Sequence, residues 1–331
     1  MNTPLFPLLE QALQARISLL DDDHWNAVRL FNGYSEGLPG LVVDFYASSL
    51  LLHNQSRHPV DLQAAILEAQ AFYKERLPRM QCSVLKVRHA GSRSEKCGRV
   101  IDGAQPADKI HENGVWYALD LLMQQDASFY LDTRHLRGWA RDHLKDKRVL
   151  NTFAYTGSLG VASLAGGAAQ VIQLDRNGKY LRLAEDSYKL NNLPLQPDTL
   201  IAEDFFAVIG RFKRQERQFD CIFLDPPFFA ASRQGRVDTQ KEFSHLVNKL
   251  RTLVSDGGWL VLVNNALFLS GRDYLASLQA LDDQGFLKVE GLIPVPQDCT
   301  GYGVTPLSAW PADPAPFNHP TKIVVLRVRR K

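Results

Sequence analysis

The sequence predicts an α/β fold in which a seven-stranded parallel sheet follows a small mixed α+β domain. Three observations carry that prediction. From residue 148 onward, short β-rich runs alternate with helical stretches, the pattern of βαβ units. Several of those runs end on an acid or open into a glycine turn, as at Gly157, Asp175, Asp204 and Asp225. Residues 26–120 have a different texture, with short strands at 40–45, 49–53, 83–88 and 115–119 around one helix at 59–77.

The elements of the second part follow in order. A first strand at 149–155 passes through Thr156-Gly157-Ser158 into a helix of small residues that ends near Gly166-Gly167. A second strand, 170–175, precedes a helix at 177–192 whose Leu181, Ala184 and Tyr188 share one face. Pro194 and Pro197 stop that helix. A third strand at 199–203 and a helix at 205–212 lead to a fourth strand, 220–224, which runs into Asp225-Pro226-Pro227-Phe228-Phe229. A polar loop around Gly235 and a helix at 239–254 precede the turn Asp256-Gly257-Gly258 and a fifth strand at 259–263. A helix at 272–284 and strands at 287–293 and 323–328 complete seven strands. The segment 124–134 and a helix at 136–144 join the two parts, so the expected division is a helical extension over 1–25, a small domain over 26–122 and the large domain over 123–331.

Composition narrows the class. With 45% hydrophobic and 22% charged residues, the chain buries a sizeable core and is not a disordered sequence. Pro4, Glu10, Gln11 and the acids Asp21, Asp22 and Asp23 interrupt the first thirty residues, so no signal peptide is expected. No apolar run reaches the ~20 residues that cross a bilayer, and the expected location is the cytoplasm. Cys82, Cys97, Cys221 and Cys299 lie too far apart for a zinc or redox motif, so no metal is expected. A net charge of +2 does not mark a nucleic-acid partner, but three basic stretches offer phosphate contacts: 86–99, 134–148 and 211–217. A solvated helix face is the ordinary alternative for each. The sequence leaves monomer and homodimer open.

In an open α/β sheet, ligands bind beyond the carboxyl ends of the strands. Gly157 lets backbone approach a ligand, and the helix behind it presents free amide donors. Asp175, eighteen residues later, is placed to accept from ribose hydroxyls. Those features fit a nicotinamide enzyme or a methyltransferase. The loop lacks G-x-G-x-x-G, and Tyr155 stands where a pyrophosphate needs glycine, which favours S-adenosylmethionine. Asp204, beside Glu203, is suited to accept from an adenine amino group or to cap the next helix. Asp225-Pro226-Pro227-Phe228 is the strongest local signal. Its prolines stiffen the strand end and leave carbonyls without amide donors, while the acid and ring suit an extruded base.

With these residues in view, the chain resembles, from about Val28 to its C-terminus, the bacterial 23S ribosomal RNA methyltransferases of the cytosine-C5 or guanine-N7 type. Arg29-Leu30-Phe31-Asn32 and 36–44 resemble the opening of that family's small central domain. Phe129-Tyr130-Leu131-Asp132-Thr133-Arg134 resembles its F-x-L-D-x-R linker, 151–157 its N-x-F-x-Y-T-G loop, and 225–228 its D-P-P-x-F. The resemblance implies a Rossmann-like class I methyltransferase domain that binds S-adenosylmethionine and acts on RNA. It assigns cofactor contacts to Asp132, Arg134, Phe153, Ala154, Tyr155, Thr156, Gly157, Asp175, Arg176, Asp204 and Asp225. The catalytic set expected beside them is Asp225, Pro226, Pro227, Phe228 and Asn264.

Two departures refine the reading. About 25 residues precede the matched region, so an N-terminal RNA-binding domain of the PUA type is not expected, and the small domain is expected to hold RNA. Methylation at cytosine C5 needs a thiolate, which that type carries after the fifth strand, whereas this chain has Val263-Asn264-Asn265-Ala266. A guanine nitrogen already has its lone pair and needs only to be held in line with methyl and sulfur. The expected activity is therefore transfer to a guanine nitrogen of 23S ribosomal RNA, with cytosine-C5 transfer by an unconventional thiol such as Cys299, or an NAD-dependent oxidoreductase, as alternatives.

Overall fold

The computed structural model describes residues 5–20, 25–92, 94–123, 127–227, 229–232, 235–238, 243–282, 285–303 and 311–330. They form two compact units, Met1–Asp132 with Pro296–Ala309, and Thr133–Val295 with Trp310–Lys331.

The first unit opens with helix α1 (Leu5–Gln14), strand β1 (Ala27–Asn32), the single turn α2 (Gly33–Glu36) and strands β2 (Leu41–Tyr46) and β3 (Ser49–Asn54). Helix α3 (Gln63–Arg76) crosses over to β4 (Cys82–Val87), and β5 (Arg99–Gly103) completes a sheet in the order β1-β2-β3-β4-β5. Its neighbours are antiparallel except β3 and β4, which α3 connects in parallel. Alternation decides which residues face the helices. Val28 and Leu30, Val43 and Phe45, and Leu50 and Leu52 join one apolar cluster with Leu9 and Leu13 of α1 and Ile66, Ala69 and Phe72 of α3. Helix α1 thus supplies part of this core. A hairpin of β6 (Lys109–Glu112) and β7 (Val115–Ala118) follows.

The chain passes from the first unit to the second after Asp132 and not at 122, and a short helix, Gln297–Thr300, belongs with the first unit. The reason is a set of polar ties. Asp298 accepts the Arg29 amide at 3.0 Å, the Cys299 carbonyl accepts from Asn32 Nδ2 at 3.1 Å, and the Thr300 carbonyl accepts from Ser35 Oγ at 2.9 Å. Arg16, 0% exposed, donates to the Asp298 carbonyl while ion-paired with Glu36 at 2.8 Å.

In the second unit, α4 (Arg134–His143) precedes β8 (Arg148–Thr152), α5 (Ser158–Ala165), β9 (Gln170–Leu174), α6 (Gly178–Leu190), β10 (Leu200–Ile201), α7 (Phe205–Arg214) and β11 (Phe219–Leu224). The hairpin β12 (Phe229–Ser232) and β13 (Gly235–Asp238) comes next, then α8 (Phe243–Arg251), β14 (Val254–Asn264), α9 (Gly271–Asp282), β15 (Leu287–Ile293) and β16 (Lys322–Val328). The sheet runs β10-β9-β8-β11-β14-β16-β15, parallel as far as β14 and antiparallel for its last two pairings. The α/β fold and its seven strands are as the sequence predicts, but the sheet is mixed and not wholly parallel, because β16 runs antiparallel to both β14 and β15.

Three boundaries differ from expectation for local reasons. The first strand stops at Thr152, because Phe153 and Tyr155 adopt φ of 53° and 52°, which no strand accommodates. The fifth strand begins at Val254 and carries Asp256-Gly257-Gly258 within it as an irregularity, between the pairs Phe219–Val254 and Cys221–Trp259. The polar loop around Gly235 is the β12–β13 hairpin.

Candidate active site

Strand order reverses between β8 and β11, so the crevice of this α/β sheet opens where β8, β9, β10, β11 and β14 end. Each of those ends supplies one part of the site.

The loop after β8 is held in an uncommon backbone shape. Phe153 and Tyr155 take positive φ, and Gly157 follows at φ 78° before α5 begins. The Asp175 carboxylate stabilises it by accepting the Tyr155 amide at 2.9 Å, while its other oxygen accepts the Asn177 amide at 2.8 Å. Those bonds use two of about four acceptor positions, which leaves two for ribose hydroxyls. Burial pushes the Asp175 carboxyl above its ordinary value, against the pull of the Asn177 and Tyr155 amides.

A second support was not legible as part of a site. Gln173, 0% exposed in β9, accepts from Asn151 Nδ2 at 2.8 Å and donates to the Gly157 carbonyl at 2.9 Å and to Tyr188 Oη at 3.2 Å. Asn151 and Gln173 are register partners on adjacent strands. The signal was available as two amides amid apolar strand residues, since a buried amide requires partners.

After β10, the two acids divide their work. Glu203 is taken up by Arg211, which donates to both of its oxygens at 2.9 and 3.0 Å. Asp204 caps α7 through Oδ1, which accepts the Phe206 and Ala207 amides at 2.9 and 3.3 Å. Its Oδ2 has no partner among the described residues, so the cap leaves one acceptor oxygen open. Phe153 stacks on Phe205 with centroids 4.7 Å apart, and Tyr155 meets Tyr180 edge-on at 4.7 Å.

Asp225 and Pro226 follow β11, Pro227 is exposed, and Phe228 lies outside the described residues. Beyond β14 the asparagine pair splits. Asn264 is 0% exposed, and its Oδ1 accepts the Ala266 amide at 2.8 Å. The exposed Asn265 donates to Asp225 Oδ1 at 3.4 Å. The turn is secured by Lys322, paired with Asn264 across β14 and β16, whose Nζ donates to the Ala266 and Pro320 carbonyls at 2.9 and 2.8 Å. Burial depresses that ammonium to about 8.

The second unit therefore brings Phe153, Ala154, Tyr155, Thr156, Gly157, Asp175, Asp204 and Asp225 to the carboxyl edge of one sheet. Arg176 follows Asp175 and is exposed, and Arg134 opens α4. Asp132 belongs to the first unit, where it lines a cavity.

Parts of two basic stretches resolve into local pairs: Arg148 with Asp220, Arg141 with Asp142 and Arg137 with Thr133 in 134–148, and Arg211 with Glu203 in 211–217. Cys221 is buried in β11, where burial pushes its thiol well above the ordinary value, and Cys299 is 0% exposed in the first unit. Among the described residues no cluster of His, Cys, Asp or Glu suits a metal, and no helix is long and apolar enough to cross a membrane.

Comparison with known proteins fits this geometry. A family model described as S-adenosylmethionine-dependent methyltransferase matches residues 29–299. The ribosomal RNA large subunit methyltransferase I of Cronobacter sakazakii is 32% identical over 263 residues, 76% of this chain. Its namesake from Enterobacter sp. (strain 638) is 29% identical over 260 residues, again 76% of this chain. This chain spans 64% of the length of each. Among solved structures, SMU.776 complexed with SAH aligns at TM-score 0.84 and 20% identity, over 98% of this chain and 81% of that one. The SAM-dependent methyltransferase from Agrobacterium tumefaciens aligns at TM-score 0.61 and 17% identity, over 88% of each. The family match sets aside the nicotinamide alternative.

Proposed function

The chain belongs to the S-adenosylmethionine-dependent methyltransferase family, and on that premise we propose that it methylates RNA of the large ribosomal subunit at a guanine nitrogen. The observation that carries the choice of atom is the surroundings of Asp225. Its neighbour after the fifth strand of the sheet is Asn265, at 3.4 Å, and not a thiol. The second unit's one cysteine, Cys221, is sealed in β11 and held protonated by burial. Addition to cytosine C6 needs a thiolate, whereas a purine nitrogen needs none.

The residues at the strand ends fit the cofactor. S-adenosylmethionine supplies an activated methyl group when bound. Asp175 keeps two acceptor positions for its ribose, Asp204 Oδ2 is available to its adenine amine, and the Phe153 and Phe205 rings flank the same edge. Gly157 and the following amides allow close approach to its amino-acid end. Asp225, Pro226 and Pro227, with Asn265, form the base-holding side, and Asn264 acts through the shape of its turn. Holding the acceptor nitrogen in orientation is the chain's main contribution to rate. The relatives named as ribosomal RNA large subunit methyltransferases support the substrate class.

Mass spectrometry of ribosomal RNA from cells with and without the gene tests the reading. Loss of one methylated guanine is expected. Loss of a 5-methylcytosine instead, accompanied by a covalent adduct with 5-fluorocytosine RNA that Cys299→Ala abolishes, overturns the choice of atom.

A further inference from the structure

The first unit contains a second feature whose chemistry the fold does not require. Its five-stranded sheet has one face sealed by α1 and α3, and the alternation that sends Val28, Val43, Leu52 and Leu85 to that face sends Arg29, Asp44, His53 and Lys86 to the other. These four stand on four consecutive strands. Arg29 and Asp44 are register partners, and so are His53 and Lys86. The result is one polar row across the sheet.

The row is held rigid. Arg29 Nε donates to Asp44 Oδ1 at 2.8 Å, and His53 Nε2 lies 3.2 Å from Asp44 Oδ2. Burial alone would push the Asp44 carboxyl up, but the Arg29 guanidinium and His53 hold it well below the usual carboxylate range. Lys86 is 2% exposed and donates from Nζ to the Met123 carbonyl. Buried charges of this kind add little to stability compared with apolar packing, so a row of them argues for a ligand.

The row floors a cavity of ≈ 130 Å³, lined also by Gln55, Arg88 and Tyr130. That volume is well beyond the ~10–15 Å³ that one water needs. Arg88, two residues beyond Lys86, is exposed and lies near Tyr34, and its side chain makes no hydrogen bond or ion pair among the described residues. Tyr130 is 41% exposed. The Gln55 oxygen accepts from Tyr34 Oη at 3.2 Å, and its NH2 has no partner among the described residues. Lining cations outnumber lining carboxylates, Arg29, Lys86 and Arg88 against Asp44 and Asp132. A free guanidinium, an exposed ring and an amide donor together suit an anionic chain that carries flat groups.

We propose that this polar sheet face binds single-stranded RNA, seating one nucleotide in the cavity with its phosphate on Arg88 and its base against Tyr130. The proposal rests on the RNA reading above and adds a contact away from the methylated base. Recognition of a splayed nucleotide by stacking and a nearby cation is the common mode for single-stranded RNA.

The test titrates the full chain with a short fluorescein-labelled oligouridylate, followed by anisotropy over a range of salt, with SAH titrated calorimetrically in parallel. Arg88→Ala is expected to weaken oligouridylate binding about tenfold and to reduce the salt slope by about one, with SAH affinity unchanged. Arg88→Lys is expected to restore most of the loss, and Tyr130→Ala to cost about tenfold with little change in salt slope. Unchanged oligouridylate affinity in Arg88→Ala overturns the proposal, as does a loss of SAH affinity in that variant. Tighter binding of a polyglutamate peptide than of oligouridylate overturns it in favour of a protein partner. If the wild type methylates ribosomal RNA and Arg88→Ala keeps its KM for RNA, this site fails while the RNA reading stands. If the wild type neither binds oligouridylate nor methylates ribosomal RNA, both fail.

Discussion

The Asp175 carboxylate accepts the backbone amide of Tyr155 at 2.9 Å, tying the end of β9 to the loop after β8. Tyr155 sits at φ 52°, so that bond helps to hold a backbone that a bulky residue adopts reluctantly. Asp175→Ala removes the acceptor for two amides. It is expected to cost about 1–3 kcal/mol of stability in urea unfolding and to weaken SAH binding by at least about tenfold, the fold-change of a lost charged hydrogen bond. Unchanged calorimetric affinity would remove Asp175 from the cofactor site.

Gly157 is required twice over. Its φ of 78° favours glycine, and a Cβ there would lie 2.5 Å from the Ala184 Cβ and 2.6 Å from Gln173 Nε2. Gly157→Ala is expected to destabilise by about 1–3 kcal/mol through overpacking and to weaken SAH binding as Gln173 shifts. A urea midpoint equal to that of the wild type would contradict this account of the loop.

The two asparagines after β14 separate stability from activity. Asn264→Ala leaves the Ala266 amide without its buried acceptor and is expected to cost about 1–3 kcal/mol. Asn265→Ala, at an exposed position, is expected to leave the urea midpoint alone and to lower kcat about tenfold through a less fixed Asp225. The reverse pattern would give the catalytic role to Asn264.

Lys322 gives the turn a pH signature. Its ammonium titrates near 8 in the folded chain, against an ordinary 10.5. Between those values the unfolded chain binds more protons, so stability attributable to Lys322 rises with pH across that window. Compared with Lys322→Met, the wild type is expected to gain stability as pH rises from 8 towards 10. A constant difference between the two proteins would show that Lys322 is not depressed.

Much of the site was legible because strand-end chemistry is local. Gly157, Asp175, Asp204 and Asp225 stand where short apolar runs stop, and a strand that stops there delivers its last residue to the carboxyl edge of the sheet. The helix at 177–192 was equally readable, since Leu181, Ala184 and Tyr188 repeat at helical spacing and all three are buried. Pairings between distant residues were not. Nothing near Gln173 indicates that it faces Asn151 and supports Gly157, because that follows from the register of β8 against β9.

By itself, the sequence determined the succession of strands and helices, the acids that end the strands and the absence of a thiol after the fifth, all written in patterns a few residues long. Only the tertiary structure decided which asparagine meets Asp225, that Glu203 is given to Arg211 while Asp204 caps a helix, and that Gln297–Thr300 belongs with the first unit. It also decided that Arg29, Asp44, His53 and Lys86 form one row. The physical reason is the same throughout: a side chain's partner across a sheet is set by strand register and by the burial that fixes that register, and both depend on residues far away in the chain.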